Sequence, residues 1–446
     1  MSGWETARVA NGGGGARWSR GVRPGAPGSR ATRLELFYDL VFVFAFLNVT
    51  TLTATYPSVH SVVRALLGLA LLWWCWSGFA GLGNVVRTDQ GVLPVVGFTT
   101  VAAAFLLALT LPEAFTDRPG GLPGPLVFAG CYLLVRGTQV AVLGWVSRAD
   151  QELRRRWLVL ALPVLVATVL LVAAGVVPQR LADGSAEALI RLAFWLAAIF
   201  VEYGVGLLVG GVGWQVVSSG HWAERHALII LVALGETIIS LGLGPQFIAG
   251  LPLTWAVVVA AVCGIAVASV LWWAYFDTLA LAVEQLLHRT REPRARIALA
   301  RDAYTYLHLP MIAGIIFYAL GLKGLLAHVA EPSTPRWGTP LSRFGLVTLY
   351  GGVVLYLLSL GALALRTLRI VRWVPLTAVV LIVALVPVVR PLPEMVALGL
   401  LALVCVLLAG AQTVTGAGHR ARVRQVALEE QLAAEAEQSE WRRRHL

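Results

Sequence analysis

Long apolar runs recur along the chain. Most are about 20 residues, and Pro, Gly or Arg marks most of the short connections between them. A helix rises about 1.5 Å per residue, so roughly 20 apolar residues span the hydrocarbon of a bilayer. The runs are continuous rather than alternating, which argues against a membrane barrel. Hydropathy predicts twelve spans: 34–55, 62–84, 91–112, 124–147, 157–177, 187–209, 226–245, 253–276, 303–322, 344–365, 373–389 and 394–415. The expected fold is all-α, a polytopic transmembrane helical bundle.

Composition agrees with that reading. Of the 446 residues, 58% are hydrophobic and 13% are charged, against about a quarter charged in a soluble protein. Mean hydropathy is +0.76. Residues 1–33 are rich in Gly and Arg and lack the apolar stretch of a cleavable leader. They read as a disordered basic cytoplasmic tail. Cys75, Cys131, Cys263 and Cys405 all fall inside apolar runs without metal-binding spacing, so they read as small core residues.

Charge orients the chain. With the N-terminus in the cytoplasm, most of the 35 Lys and Arg residues fall on cytoplasmic segments. Such a bias is the positive-inside pattern of a cytoplasmic (inner) membrane protein, with both termini cytoplasmic. It also accounts for the net charge of +11 without nucleic acid, since basic loops face an anionic leaflet. Residues 416–446 read as a charged cytoplasmic tail, helical in pattern.

A weak internal repeat is visible. The segment from Glu35 to Thr51 can be laid on Glu224 to Ser240, and Arg154–Pro163 resembles Arg369–Pro375. The repeat predicts two six-helix halves, 34–210 and 211–415, related by a pseudo-twofold axis along the membrane normal. Chance alignment of apolar sequence is the competing explanation.

A charge inside a span costs about 2.5–3.5 kcal/mol on insertion scales, so each one asks for a reason. Glu35 and Asp39 lie one turn apart on one face, and Thr50 and Thr53 continue that stripe. Glu35 suits a helix N-terminus, where a carboxylate is favoured. Asp39 lies deeper and is a candidate binding group. Glu236 is about ten residues into its helix, on a face with His226, Ala233, Thr237 and Ser240. A carboxyl group at that depth can carry a proton; the alternative is a buried carboxyl that only fixes packing. Gly235 beside it is expected to admit a neighbouring backbone.

Arg136 keeps its proton and requires an acidic partner or water, with Glu202, Asp39 and Glu236 available. A static Arg–Glu pair is the competing role. Asp277 follows Leu271-Trp-Trp-Ala-Tyr-Phe276, whose aromatics suit an interface anchor better than a ligand cage. His308 opens the ninth span, and an isolated helical His is more often simply hydrogen-bonded. His226 and His308 lack metal-ligand spacing, and no metal or cofactor is expected. Neither a nucleophile elbow, a P-loop nor a dinucleotide fingerprint stands in a suitable context, so the chain does not read as an enzyme.

The stretch Arg33-Leu-Glu-Leu-Phe-Tyr-Asp-Leu-Val-Phe-Val-Phe-Ala-Phe46 resembles the opening signature of the bacterial low temperature requirement protein A (LtrA) family. Glu224-Arg-His through Leu-Gly-Glu236 resembles its second hallmark, and Leu271-Trp-Trp-Ala-Tyr-Phe-Asp277 a third. His226 departs from the pattern, where an aromatic residue is expected. The resemblance implies a polytopic membrane protein linked to growth in the cold, and it implies no particular biochemical activity.

Together these features point to a secondary transporter or proton-coupled carrier of a small solute or ion. Glu236 and Asp39 would bind the proton or cation, with Arg136 and Glu202 as a gating or charge-balancing pair. The alternatives are a non-transporting membrane factor, a sensor or scaffold acting in the envelope or in cold adaptation, and an ion channel.

Overall fold

A computed structural model describes residues 30–55, 57–117, 120–146, 151–208, 216–242 and 253–445. The expected basic tail lies, but for its last few residues, outside the described residues. The described residues are mostly helical and form no strand; one isolated bridge joins Pro340 to Pro393.

The helices, in chain order, are α1 (Arg33–Thr55), α2 (Val59–Val85), α3 (Leu93–Thr110), α4 (Gly124–Val146), α5 (Gln151–Val176), α6 (Pro178–Leu181), α7 (Gly184–Leu208) and α8 (Ser219–Gly242). They continue as α9 (Trp255–Phe276), α10 (Leu279–Arg289), α11 (Pro293–Leu299), α12 (Leu307–Ala330), α13 (Arg343–Leu368), α14 (Trp373–Val389), α15 (Glu394–Thr415) and α16 (Ala417–His445). Eleven of the described helical segments are long and apolar enough to cross a membrane. The remaining expected span, 373–389 (α14), is apolar but has 17 residues, the short end of what a bilayer needs.

Two compact units divide the chain. The first holds the residues up to Val41 together with Leu71–Ser218. The second holds Phe42–Ala70 and Ser219–Leu446. Thus α1 and α2 each contribute residues to both units.

In the first unit, α5 packs on α4 and α7, and α3 packs on α4. The start of α1 is fixed by Thr32 and Glu35. Glu35 N donates to Thr32 Oγ1 at 3.3 Å, and Thr32 N donates to Glu35 Oε2 at 2.7 Å. This reciprocal capping box satisfies two amide donors that a helix end leaves free. Gly83 of α2 leaves room for it, since a Cβ there would collide with Glu35 Oε1.

In the second unit, α12 and α13 touch backbone to backbone. A Cβ on Gly352 would lie 2.5 Å from Tyr318 N, and one on Gly321 would lie 2.6 Å from Leu349 N. Small residues permit such approach where lipid offers no hydrophobic drive for helix pairing. Buried tyrosines add hydrogen bonds between helices. Tyr318 donates to Gly264 O (2.9 Å), Tyr356 to Leu271 O (2.7 Å) and Tyr350 to Ala397 O (2.6 Å). Gly235, by contrast, has open space where a Cβ would sit, so the close approach expected there does not occur.

The ninth span differs from its expected limits of 303–322. Helix α11 leads into a π-helical turn over Ala300–Tyr306 and then into α12, which runs on to Ala330. Pro310 cannot donate to the carbonyl four residues back and its ring crowds that carbonyl, which suits the widened turn just before it. Lys323 does not end the helix, because its ammonium donates to Thr51 Oγ1 at 3.1 Å. Helix α10 was not anticipated as an element of its own; it buries Leu279, Val283 and Leu287 at a spacing of four.

Candidate functional site

Helix α8 turns one face inward: His226, Ile229, Ile230, Ala233, Glu236, Thr237 and Ser240 are all buried. The spacing of three and four that made the face amphipathic in sequence therefore carries Glu236 out of contact with solvent. Glu236 is 0% exposed. Its Oε1 accepts from Thr50 Oγ1 (2.8 Å) and from Ser240 Oγ (2.9 Å). Its Oε2 is buried and has no hydrogen-bond partner, and the same is true of the neighbouring Thr237 hydroxyl. Among the described residues Glu236 makes no ion pair; Lys323 acts on it only through space. A buried carboxyl with one oxygen anchored and the other unoccupied has a place for a proton or a small cation.

The first unit holds a second buried carboxyl in a different setting. Glu202, 2% exposed, accepts from Trp74 Nε1 at 2.5 Å, from the Tyr132 hydroxyl and from Arg136 Nη2 at 3.2 Å. Arg136 also donates through Nη1 to Gln139 Oε1 (2.7 Å), and Gln139 Nε2 donates to Cys75 O (2.8 Å). Of the three acids available to Arg136 in sequence, the structure selects Glu202. Gly78 makes the space, since a Cβ there would overlap both Gln139 Oε1 and Arg136 Nη1. Trp74, Tyr132 and Gln139 escaped the sequence reading. An aromatic N–H or O–H in an apolar helix was the available signal, because such groups seek a partner when buried.

Asp39 is buried and accepts from Trp76 Nε1 at 2.7 Å. Glu35 serves the capping box described above. Both belong to the first unit, while Thr50 and Thr53 of the same sequence stripe belong to the second.

The two histidines come together in the second unit. His226 and His308 have ring centroids 5.3 Å apart, with Tyr304 against both. His308 Nε2 shares a hydrogen bond with the Tyr275 hydroxyl (2.9 Å), and its Nδ1 with Ala303 O (2.9 Å) across the π turn. His226 Nδ1 bonds to Trp222 O at 2.8 Å. Tyr275 is therefore not an interface anchor: it is buried, whereas Trp272 of the same motif is exposed. Among the described residues, no three His, Cys, Asp or Glu side chains come together to hold a metal ion.

Asp277 receives the C-terminal helix. Arg420 Nε donates to Oδ2 (2.9 Å) and Arg424 Nη2 to Oδ1 (2.8 Å), one turn apart on α16. Neither arginine was singled out from sequence, because a carboxylate's partner 143 residues away leaves no local trace.

Comparison with known proteins agrees with the architecture. The profile described as "Bacterial low temperature requirement A protein (LtrA)" matches residues 30–410. An uncharacterized protein of Rhizobium meliloti (strain 1021) is 27% identical over 344 residues, covering 74% of this chain and 76% of that protein. No solved structure matches significantly. The chain belongs to the bacterial low temperature requirement A protein family.

Proposed function

We propose that this LtrA-family member is a proton-coupled secondary carrier of a small solute or ion in the bacterial cytoplasmic membrane, with both termini cytoplasmic. Glu236 is the group that takes up and releases the proton. The observation that carries this reading is its half-satisfied carboxyl, buried among hydroxyls and, among the described residues, with Oε2 unpartnered and no ion pair. An intramembrane acid without a fixed counter-charge marks an ion or proton path more often than a brace. The Arg136–Glu202 pair balances charge within the first unit, and Asp39 is a secondary candidate for binding.

Purified protein in pyranine-loaded liposomes tests the reading. Amino acids, sugars, inorganic cations and organic cations are added in turn under an imposed pH gradient. The expected result is that one class moves protons in the wild type and fails to in Glu236→Gln. Solute movement that ignores the gradient and persists unchanged in Glu236→Gln contradicts it.

The docking of α16 on Asp277 favours a second reading, a non-transporting membrane factor whose tail recruits a partner. That reading requires low-temperature growth to fail when residues 420–446 are deleted and to survive Glu236→Gln.

A further inference from the structure

Three helices of the second unit begin around one cavity of about 180 Å³. They are α10, α14 and α16, and the cavity is lined by Thr278 and Leu279, by Arg372 and Trp373, and by Gly416 and Arg420 at their starts. Helices α10 and α14 have no side-chain cap at that end. Uncapped helix starts present N–H groups and the positive end of the helix dipole.

Side chains add to this. Arg372 spends one donor on Ala274 O (3.2 Å). Arg420 spends Nε on Asp277 and Nη2 on Gln412 O (3.2 Å), and its guanidinium lies over the Trp273 ring. Each guanidinium has five N–H donors, so several remain on both. Gln412 lines the same cavity; the residue is 8% exposed and its Nε2 has no partner. The one carboxylate present, Asp277, is already engaged by Arg420 and Arg424. Donors and positive charge thus outnumber acceptors, and their complement is an anion with several oxygens. Guanidinium groups with helix N-termini are the usual receptors for phosphate.

Position suggests where the phosphate comes from. Ile370, Val371 and Trp373, beside the cavity, are 46%, 47% and 71% exposed, at the junction between two apolar helices. Exposed apolar and Trp side chains at a span end suit the headgroup level of a bilayer. Basic pockets between helices at that level suit anionic headgroups. We propose that this cavity is a phosphate-binding site, lined by Arg372, Arg420 and Gln412, that takes the headgroup of an anionic phospholipid. The site is separate from Glu236 and stands whether or not the protein is a carrier.

Native mass spectrometry of the full-length protein in detergent tests it, with phosphatidylglycerol, phosphatidylcholine and inorganic phosphate as probes. Wild type is expected to retain one phosphatidylglycerol roughly tenfold better than phosphatidylcholine. Arg372→Gln and Gln412→Leu should each remove that preference. Arg369→Gln, three residues before Arg372 and outside the cavity lining, should keep it, and Arg372→Lys should restore part of it. Gel filtration of each variant as a single symmetric peak separates lost binding from lost fold. Binding of inorganic phosphate that Arg372→Gln abolishes, with the two lipids retained alike, supports the site and assigns its anion to solution, overturning the lipid source. Equal retention of both lipids in wild type and variants, with no phosphate bound, overturns the site itself.

Discussion

Glu202 and Glu236 are the same residue type, both buried in helices that suit a membrane, and they are held in opposite ways. Glu202 has three donors, one of them a guanidinium, and Arg136 is tied in turn to Gln139. Among the described residues, Glu236 has two hydroxyls on one oxygen and nothing on the other. Hydropathy treats them alike. What separates them is the count of donors and the presence of a cation. A paired and fully bonded carboxylate is held in one state, since any change in it strands a buried arginine. A half-bonded one can change state at little structural cost.

The contrast can be broken most severely at Arg136. Arg136→Ala leaves Glu202 buried and uncompensated, and should cost about 3–5 kcal/mol in a reversible unfolding measurement in mixed micelles. Replacing both partners, as Arg136→Met with Glu202→Leu, should recover much of that loss. A double variant as unstable as the single one would show that the pair is not what Arg136→Ala disrupts. Next in size is Gly78→Ala, whose methyl overlaps the Arg136 and Gln139 head groups. Overpacking of that kind costs about 1–3 kcal/mol by the same assay.

At Glu236 the expected signs differ. Glu236→Gln keeps the shape and the acceptor for Thr50, so stability should change by less than about 1 kcal/mol while proton coupling is lost. Thr50→Val removes one of the two hydroxyls on Oε1 and should cost about 0.5–1.5 kcal/mol. The smallest effect belongs to a loop outside the spans. Arg87 hydrogen-bonds Asp89 and holds its carboxyl below the usual carboxylate range. A depressed folded-state value contributes stability above the unfolded one, and the contribution fades as pH falls through the folded value. Both side chains are more than a third exposed, so solvent screening leaves only a few tenths of a kcal/mol. The stability gap between wild type and Asp89→Asn should close as pH drops below about 4.

Much of this architecture was legible because hydropathy is a strong local signal. The limits of α14 and α15 match the expected 373–389 and 394–415 to the residue, where Arg372, Arg390 and Pro393 punctuate the runs. Lys323 misled, because a lysine reads as the end of a span unless its partner, Thr51 of another helix, is known. The capping box was spelled out as Thr32-Arg33-Leu34-Glu35 and could have been read from its spacing alone. The choice of Glu202 as the partner of Arg136 could not, since it depends on which helices pack together. The same holds for the tail, whose arginines meet Asp277 across 143 and 147 residues of chain.

In the proposed carrier Glu236, and not Glu202, changes its protonation during work. Infrared difference spectroscopy of the reconstituted protein between acidic and alkaline buffer measures this directly. One pH-dependent carboxyl C=O band, above the frequency of the exposed carboxyls, is expected to survive in Glu202→Gln and to disappear in Glu236→Gln. Its persistence in Glu236→Gln, or its loss instead in Glu202→Gln, would contradict the assignment.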